Sequence, residues 1–508
     1  MAGVLASVAT FALVGLDSSE VTVEVDVRRG LPVFTVVGLP DRAVREARDR
    51  VRSALLNSGL DFPHERLTAN LAPADLRKAG PSFDLALAVG VLSATGQVPR
   101  ERVRGYAVCG ELSLGGALRP IHGAVAVSAG ARRAGYDRLV VPVENAREAA
   151  LVPDIDVLGV PTLERLVDLL KGEWSPEAAK PSAPPGEPAS GADLADVRGQ
   201  GDARRALEIA AAGGHNVLMI GPPGVGKTML ARRVPGILPP PSFDEAVEIT
   251  RIQSVTGLGD GRLASRRPFR APHHTISASG LIGGGVTPRP GEITLAHRGV
   301  LFLDELAEFG RYTLEALRQP LENGFVEIMR GQRSLRFPSQ FMLVAACNGC
   351  SCGRPGGECT CNAADRIRYH RRLSGPLLDR IDLVCALRPG AALELVSDGR
   401  ARPESSAVVR ERVTAARERQ RARLRGSPAT CNGAMDARLT QAHVKLPPDL
   451  QTMLLTVARA GSMSFRGQHR ALRLARTIAD LDGRDQIGRD DLAEAIGYRL
   501  GAAEAVAA

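Results

Sequence analysis

The run Gly221-Pro222-Pro223-Gly224-Val225-Gly226-Lys227-Thr228 has the residue types and spacing to hold a polyphosphate. It fits G-x-x-x-x-G-K-[ST], follows the strand-like run Asn216–Ile220 and precedes a helix-like run from Met229. Glycines let successive backbone N–H groups turn toward the β- and γ-phosphates, which also meet the positive end of the helix dipole. Lys227 adds a mobile charge on the phosphates, and the Thr228 hydroxyl is a ligand for Mg²⁺. The alternative is a glycine-rich turn that happens to precede a lysine, a rare coincidence in a chain with five lysines. ATP or GTP is the expected ligand.

Three further groups would complete a hydrolytic site. Leu301-Phe302-Leu303-Asp304-Glu305 is an apolar strand ending in two acids. Asp304 suits Mg²⁺ held through water, and Glu305 suits orienting or deprotonating the attacking water. Two acids at a strand end are common, so position carries the weight: this is the next acidic strand end after the phosphate loop. Asn348 closes the next strand signal, Gln340–Asn348, where it can sense and position that water or simply cap a turn. Arg380, in Ser374–Asp382, is a candidate arginine finger, with a surface ion pair to Asp382 as the other reading. Arg466 opens a later helical stretch, with Arg470 one turn on, and either could reach the same phosphate.

These groups need a scaffold. Strands that end in polar residues suit a parallel sheet with its site at the carboxyl edge. A Pro-, Ala-, Ser- and Gly-rich stretch at Ser175–Gly191 marks a boundary. The expected divisions are residues 1–172, a linker at 173–192, a nucleotide-binding core at 193–390 and a helical lid at 391–508. The first module alternates strand signals (Val21–Val27, Val33–Val37, Leu139–Val143) with helical ones (Arg42–Asn57, Phe83–Thr95) and reads as α/β. Past Glu404 the pattern is helical: an Arg-rich run to Arg425, then Asp449–Ala460, Gln468–Leu481 and Arg489–Arg499.

At 508 residues the chain exceeds one core. No run of 18 uncharged apolar residues exists, so no membrane span is expected. Met1–Leu16 lacks a basic flank and reads as a buried strand, and a cytoplasmic protein is expected. The net charge of +9 invites nucleic acid, but 60 of the 65 basic residues are Arg, the bias a GC-rich genome produces by itself. Cys350, Cys352, Cys359 and Cys361 cluster within twelve residues. Reduced cytosolic thiols disfavour a disulfide; a tetrahedral Zn²⁺ site, a redox-active cluster and free thiols stay open.

Gly221–Thr228, Leu303–Glu305, Asn348, Leu377–Arg380 and the Arg466 helix together resemble an AAA+ ATPase of the magnesium-chelatase-like branch, and more narrowly the bacterial YifB/ComM family. Matching segments run from Val37-Gly-Leu-Pro-Asp41 through Phe269-Arg-Ala-Pro-His-His-Thr275 and Pro290–His297 to Ala475–Asp480. Gly349 departs from the pattern, standing where proline is expected before the first cysteine. The resemblance implies ATP, Mg²⁺ and a hexameric ring motor in which Arg380 completes the neighbour's site. ComM-type relatives act as DNA branch-migration helicases in natural transformation, so single-stranded or branched DNA is the implied partner. It further implies two pore-facing insertions. One lies between about Thr250 and Leu295 and carries His273 and His274, read as loop-packing or phosphate-contacting groups. The other is a hairpin at Val326–Pro338 with Arg330, Gly331, Gln332 and Arg333 near its tip, suited to phosphate contact or plain solvation.

Lys78–Asp84, Gly110–Gly115 and Arg119–Gly123 resemble the Lon-protease-like domain of ribosomal-S5-type α/β fold, which uses a Ser–Lys dyad. Ser82 stands at the nucleophile's place, but the lysine's place holds Val125. A serine hydroxyl without a base is a poor nucleophile, so a non-proteolytic module is expected. The leading expectation is a DNA motor; an ATPase that remodels a protein or a metal-insertion complex comes second, and an ATP-dependent protease third.

Overall fold

The computed structural model describes residues 4–76, 78–181, 192–285, 288–330, 333–354, 358–373, 375–387, 403–459 and 463–507. Half of the expected linker (182–191), Gly331, Gln332, Ser374 and the boundary expected after 390 lie outside the described residues. The chain forms two compact units, one of Met1–Gly186 with Phe243–Ser265, the other of Glu187–Ser242 with Arg266–Ala508.

The first unit is built on a seven-stranded mixed sheet, in the order 33–37, 66–72, 17–28, 4–14, 107–108, 138–142, 156–160. Val21, Val23 and Val25 are fully buried and alternate with more exposed polar residues, the period-2 pattern that fixes register. Against this sheet lies helix Asp84–Ala94, every residue of which is buried. Gly90 allows the close approach: a Cβ there would come 2.5 Å from Val25 Cγ2. Helix Arg42–Asn57 starts where the Asp41 carboxylate accepts from Val44 N at 2.9 Å, an ordinary N-cap.

Helix Phe243–Thr256, which lies within the stretch expected as the nucleotide-binding core, packs in this first unit. It meets helix Ala124–Arg133 through an apolar cluster of Val125, Leu151, Ala246 and Leu263. Gly123 N donates to Ser254 O at 3.1 Å, and Arg251 reaches Leu16 O and Asp17. The pore-facing insertion expected from about Thr250 is therefore divided: residues up to Ser265 group with the first unit, and His273 and His274 with the second.

The second unit carries five parallel strands in the order 269–270, 300–303, 342–347, 217–220, 383–386, so the strand before the phosphate loop, 217–220, lies between 342–347 and 383–386. The runs Val217–Ile220, Val300–Leu303 and Met342–Cys347 are buried at every position, as strands covered on both faces must be. Helices 406–423, 437–443, 448–459, 465–481 and 489–507 follow in the stretch expected as a lid. Helices 406–423 and 465–481 share a core with helix 201–213, and the Gln420 amide donates to Ala212 O at 3.0 Å. Among the described residues no helix is long and apolar enough to cross a membrane.

Candidate nucleotide site

Register brings the chemistry together. Ile220 pairs with Cys347 and Leu303 with Ala345, so Gly221, Asp304 and Asn348 leave the sheet at one edge. Gly221 N donates to Cys347 O at 3.2 Å, tying the start of the phosphate loop to the strand that ends at Asn348. Gly226, at φ +94°, turns the loop into the helix that begins at Lys227, a conformation other residues rarely adopt.

The Lys227 ammonium is buried and folded onto its own loop. Nζ donates to Gly221 O at 2.5 Å, Pro222 O at 3.0 Å and Asn348 Oδ1 at 3.0 Å. Burial pushes its pKa down, against the pull of Cys347, Asp304 and Glu305. Thr228 Oγ1 donates to Asp304 Oδ2 at 2.6 Å, joining the two groups expected to serve one metal ion. This set fits a nucleotide with Mg²⁺: a lysine able to exchange carbonyls for phosphate oxygens, and a hydroxyl–carboxylate pair of the hard oxygen donors that Mg²⁺ takes.

Glu305 sits in left-handed backbone, φ +53°, just past the strand end, with its side chain half exposed. His274 Nδ1 stands 3.1 Å from Glu305 Oε2. The His274 ring lies 4.1 Å from that of His273 and edge-on to Phe309, while His273 Nδ1 is 2.9 Å from Thr275 Oγ1. The two histidines thus form a packed loop beside the acidic strand end, a juxtaposition that sequence spacing did not reveal.

Arg380 lies at the other edge of the sheet. It precedes strand Leu383–Ala386, whose Leu383 pairs with Val217, the first residue of the strand that leads into the phosphate loop. Its guanidinium is buried, with Nη2 on Glu322 and Nη1 on Pro376 O at 2.5 Å. The ion pair with Asp382 that the sequence left open is replaced by this contact with Glu322. Asp382 instead accepts from Asn216 N at 3.0 Å and from Arg470 at 3.3 Å, with Arg473 at 3.6 Å. Burial alone would raise the Asp382 carboxyl, but His215, Arg470 and Arg473 outweigh it and hold the group well below the usual carboxylate range. Arg470 is thereby bound to Asp382 at the start of strand Leu383–Ala386, while Arg466 is exposed on the first turn of helix Phe465–Leu481.

Phe325–Arg330 and Arg333–Pro338 pair as an antiparallel hairpin, with Arg330 opposite Arg333 at its end. The four clustered cysteines converge. Cys350 Sγ is 3.3 Å from Cys352 Sγ and 3.5 Å from Cys359 Sγ, Cys352 Sγ is 3.7 Å from Cys359 Sγ, and all four sulfurs lie within 4.8 Å of one another. These separations are far too long for a disulfide and close to the edge of a tetrahedron with metal–sulfur bonds of about 2.3 Å. In the first unit, Ser82 sits in the turn Pro81–Phe83 with its carbonyl accepting from Gly110 N at 3.1 Å, and Val125 is buried.

The family model for magnesium chelatase, subunit ChlI, matches residues 193–394; models for subunit ChlI of Mg-chelatase and for its C-terminal part match residues 23–145 and 403–499. The chain is 44% identical over 501 residues to YifB of Salmonella typhimurium, covering 97% of each. It is 43% identical over 506 residues to competence protein ComM of Haemophilus influenzae, again covering 97% of each. Likeness to Lon protease 2 of Bacillus subtilis is partial: 31% identity over 98 residues, 19% of this chain and 17% of that one. Identity of this order along nearly the whole of both chains leaves one assignment: the protein belongs to the YifB/ComM family of magnesium-chelatase-like AAA+ ATPases.

Proposed function

We propose that the protein is an ATP-driven hexameric motor on DNA that moves branched recombination intermediates, with each hydrolysis site shared by two subunits. The observation that carries the shared site is the position of Arg380. It stands at the amino edge of a parallel sheet whose carboxyl edge carries the same chain's phosphate loop, so it faces away from its own nucleotide. Released from Glu322, an arginine so placed is suited to a phosphate on a neighbouring subunit, where stabilising transition-state charge is worth roughly 10³–10⁵ in rate.

Within the site, Lys227 leaves the carbonyls of Gly221 and Pro222 for the phosphates, and Pro222, Pro223, Gly224, Val225 and Gly226 shape the loop around them. Thr228 and Asp304 would hold Mg²⁺, which would supply charge neutralisation on the phosphates. Glu305 takes the proton of the attacking water once it turns from His274, Asn348 orients that water, and Arg466 reaches in from the lid. The four cysteines hold Zn²⁺.

The name of the Haemophilus relative, a competence protein, supports DNA as the track. So does the paired Arg330 and Arg333 at the hairpin end, and His273 and His274 link a surface loop to Glu305. Burial of Val125 in an apolar cluster with Ala246 and Leu263 speaks against a Ser–Lys protease at Ser82, since the dyad lysine's place is occupied by packing. The match to magnesium-chelatase models favours a second reading, an ATPase that remodels a protein or metal-insertion complex without DNA. ATP hydrolysis by the assembled protein, measured with single-stranded, forked and four-way DNA, separates the two. Stimulation by at least one DNA is expected, and a rate indifferent to all three would overturn the motor.

A further inference from the structure

We infer that the cysteine cluster is a metal-locked brace that sets the position of Asn348 and of the phosphate loop, so that metal content governs the rate of ATP hydrolysis. The inference rests on the zinc reading above and extends it to the chemistry of the neighbouring site.

The cluster is joined to the site on three sides. Cys350 follows Asn348 by two residues, and Asn348 Oδ1 accepts from Lys227 Nζ at 3.0 Å. The turn inside the cluster, closed by Gly353 N on Cys350 O at 3.3 Å, lies against the phosphate loop itself. A Cβ added to Gly353 would come 3.2 Å from Pro223 Cγ, 3.4 Å from Pro223 Cδ and 3.7 Å from Asn348 Nδ2. On the far side, Cys361 directly precedes Asn362, the N-cap of helix Ala363–His370, whose side chain accepts from Asp365 N at 2.9 Å. Just beyond that helix, Arg372 pairs with Glu308 at 3.0 Å, in the turn that follows Glu305.

Rigidity here has to come from a metal. Thiol–thiol contacts are weak, and four of them give a loop little cohesion. Four thiolates on one tetrahedral ion convert binding energy into folding energy for the whole segment. Gly349, between Asn348 and Cys350, has open space where a Cβ would stand, so the backbone supplies no stiffness of its own at that joint. The metal class is a thiophilic divalent ion, Zn²⁺ first.

The test uses the full-length assembled protein. Metal per chain is measured by elemental analysis, together with binding of a fluorescent ATP analogue, kcat and KM for ATP, and thermal unfolding. Two variants are compared, Cys359→Ser, which removes a ligand, and Gly353→Val, which keeps all four cysteines but puts a side chain at φ +69° and against Pro223, straining the turn that adjoins the phosphate loop. About one Zn²⁺ per chain is expected in the wild type and in Gly353→Val, and a loss in Cys359→Ser. Both variants should lose kcat by roughly ten- to a hundredfold, as a misplacement of about 1 Å can do, with KM changed less than about threefold. Absence of metal from the wild type would overturn the zinc reading and the brace together. Metal at one per chain with kcat unchanged in both variants would leave the zinc reading standing and overturn the brace.

Discussion

The phosphate-loop edge of the second unit and the Ser82 turn of the first both carry fragments of a catalytic motif, and only one of them is assembled. At the first, register delivers Lys227, Thr228, Asp304 and Asn348 to one sheet edge as two hydrogen-bonded pairs, Lys227 with Asn348 and Thr228 with Asp304. At the second, the serine is present but the position for its base is a valine sunk in the apolar contact with helix Phe243–Thr256. The difference teaches that a motif is a site only when its partners converge. In the N-terminal unit the convergence point has been turned over to packing a segment from later in the chain.

The largest effects should fall on the assembled side. Replacing Lys227 by Ala or Glu305 by Gln should lower ATP hydrolysis at least a hundredfold, while Ser82→Ala leaves both the rate and the thermal midpoint unchanged. Steady-state phosphate release checks this, and a Ser82-dependent activity of any kind would break the comparison.

Next comes the frame of the site. Asp382→Asn removes the buried negative charge that faces Arg470 and Arg473 and should cost about 3–5 kcal/mol near pH 7. The sign of the pH dependence follows from a carboxyl held below its unfolded value. Its contribution is complete above the unfolded pKa of about 3.9 and is lost as pH falls through and below that value. Urea unfolding of both proteins between pH 3 and 7 should therefore show the wild-type advantage shrinking at the acid end. A constant gap would mean that Asp382 acts through shape alone.

The smallest effect is at the joint before the cysteines. Gly349→Ala, placed in open space, should stabilise by about 0.4–1 kcal/mol by restricting the unfolded chain, with ATP hydrolysis unchanged. Thermal denaturation reads it directly. Destabilisation would show that Gly349 is needed for its conformation.

Much of this was legible in the sequence because it is local. The phosphate loop, the acidic strand end and the C-terminal helices are written in contiguous residues whose periodicity or punctuation names the element, whereas the hairpin at Val326–Pro338 comes from the family resemblance. What stayed hidden depends on contacts across long stretches of chain. Strand Leu383–Ala386 is four residues and reads as an extension of the preceding motif. Helix Phe243–Thr256 shows its helical period but not the unit it joins. The contacts of Arg380 with Glu322, Asp382 with Arg470, and His274 with Glu305 span 58, 88 and 31 residues, and nothing at those spacings marks them. Ion pairs of that kind are chosen by topology, which the sequence implies only once the strand order is known.

The central claim, a hydrolysis site completed by the neighbouring subunit, is tested most directly by mixing two inactive variants. Lys227→Ala lacks the loop lysine but keeps Arg380; Arg380→Ala keeps the loop but lacks the arginine. Each alone should be inactive, and co-assembled subunits should regain ATP hydrolysis wherever an intact loop faces an intact Arg380. Co-assembled rings that remain as inactive as their components would contradict the shared site.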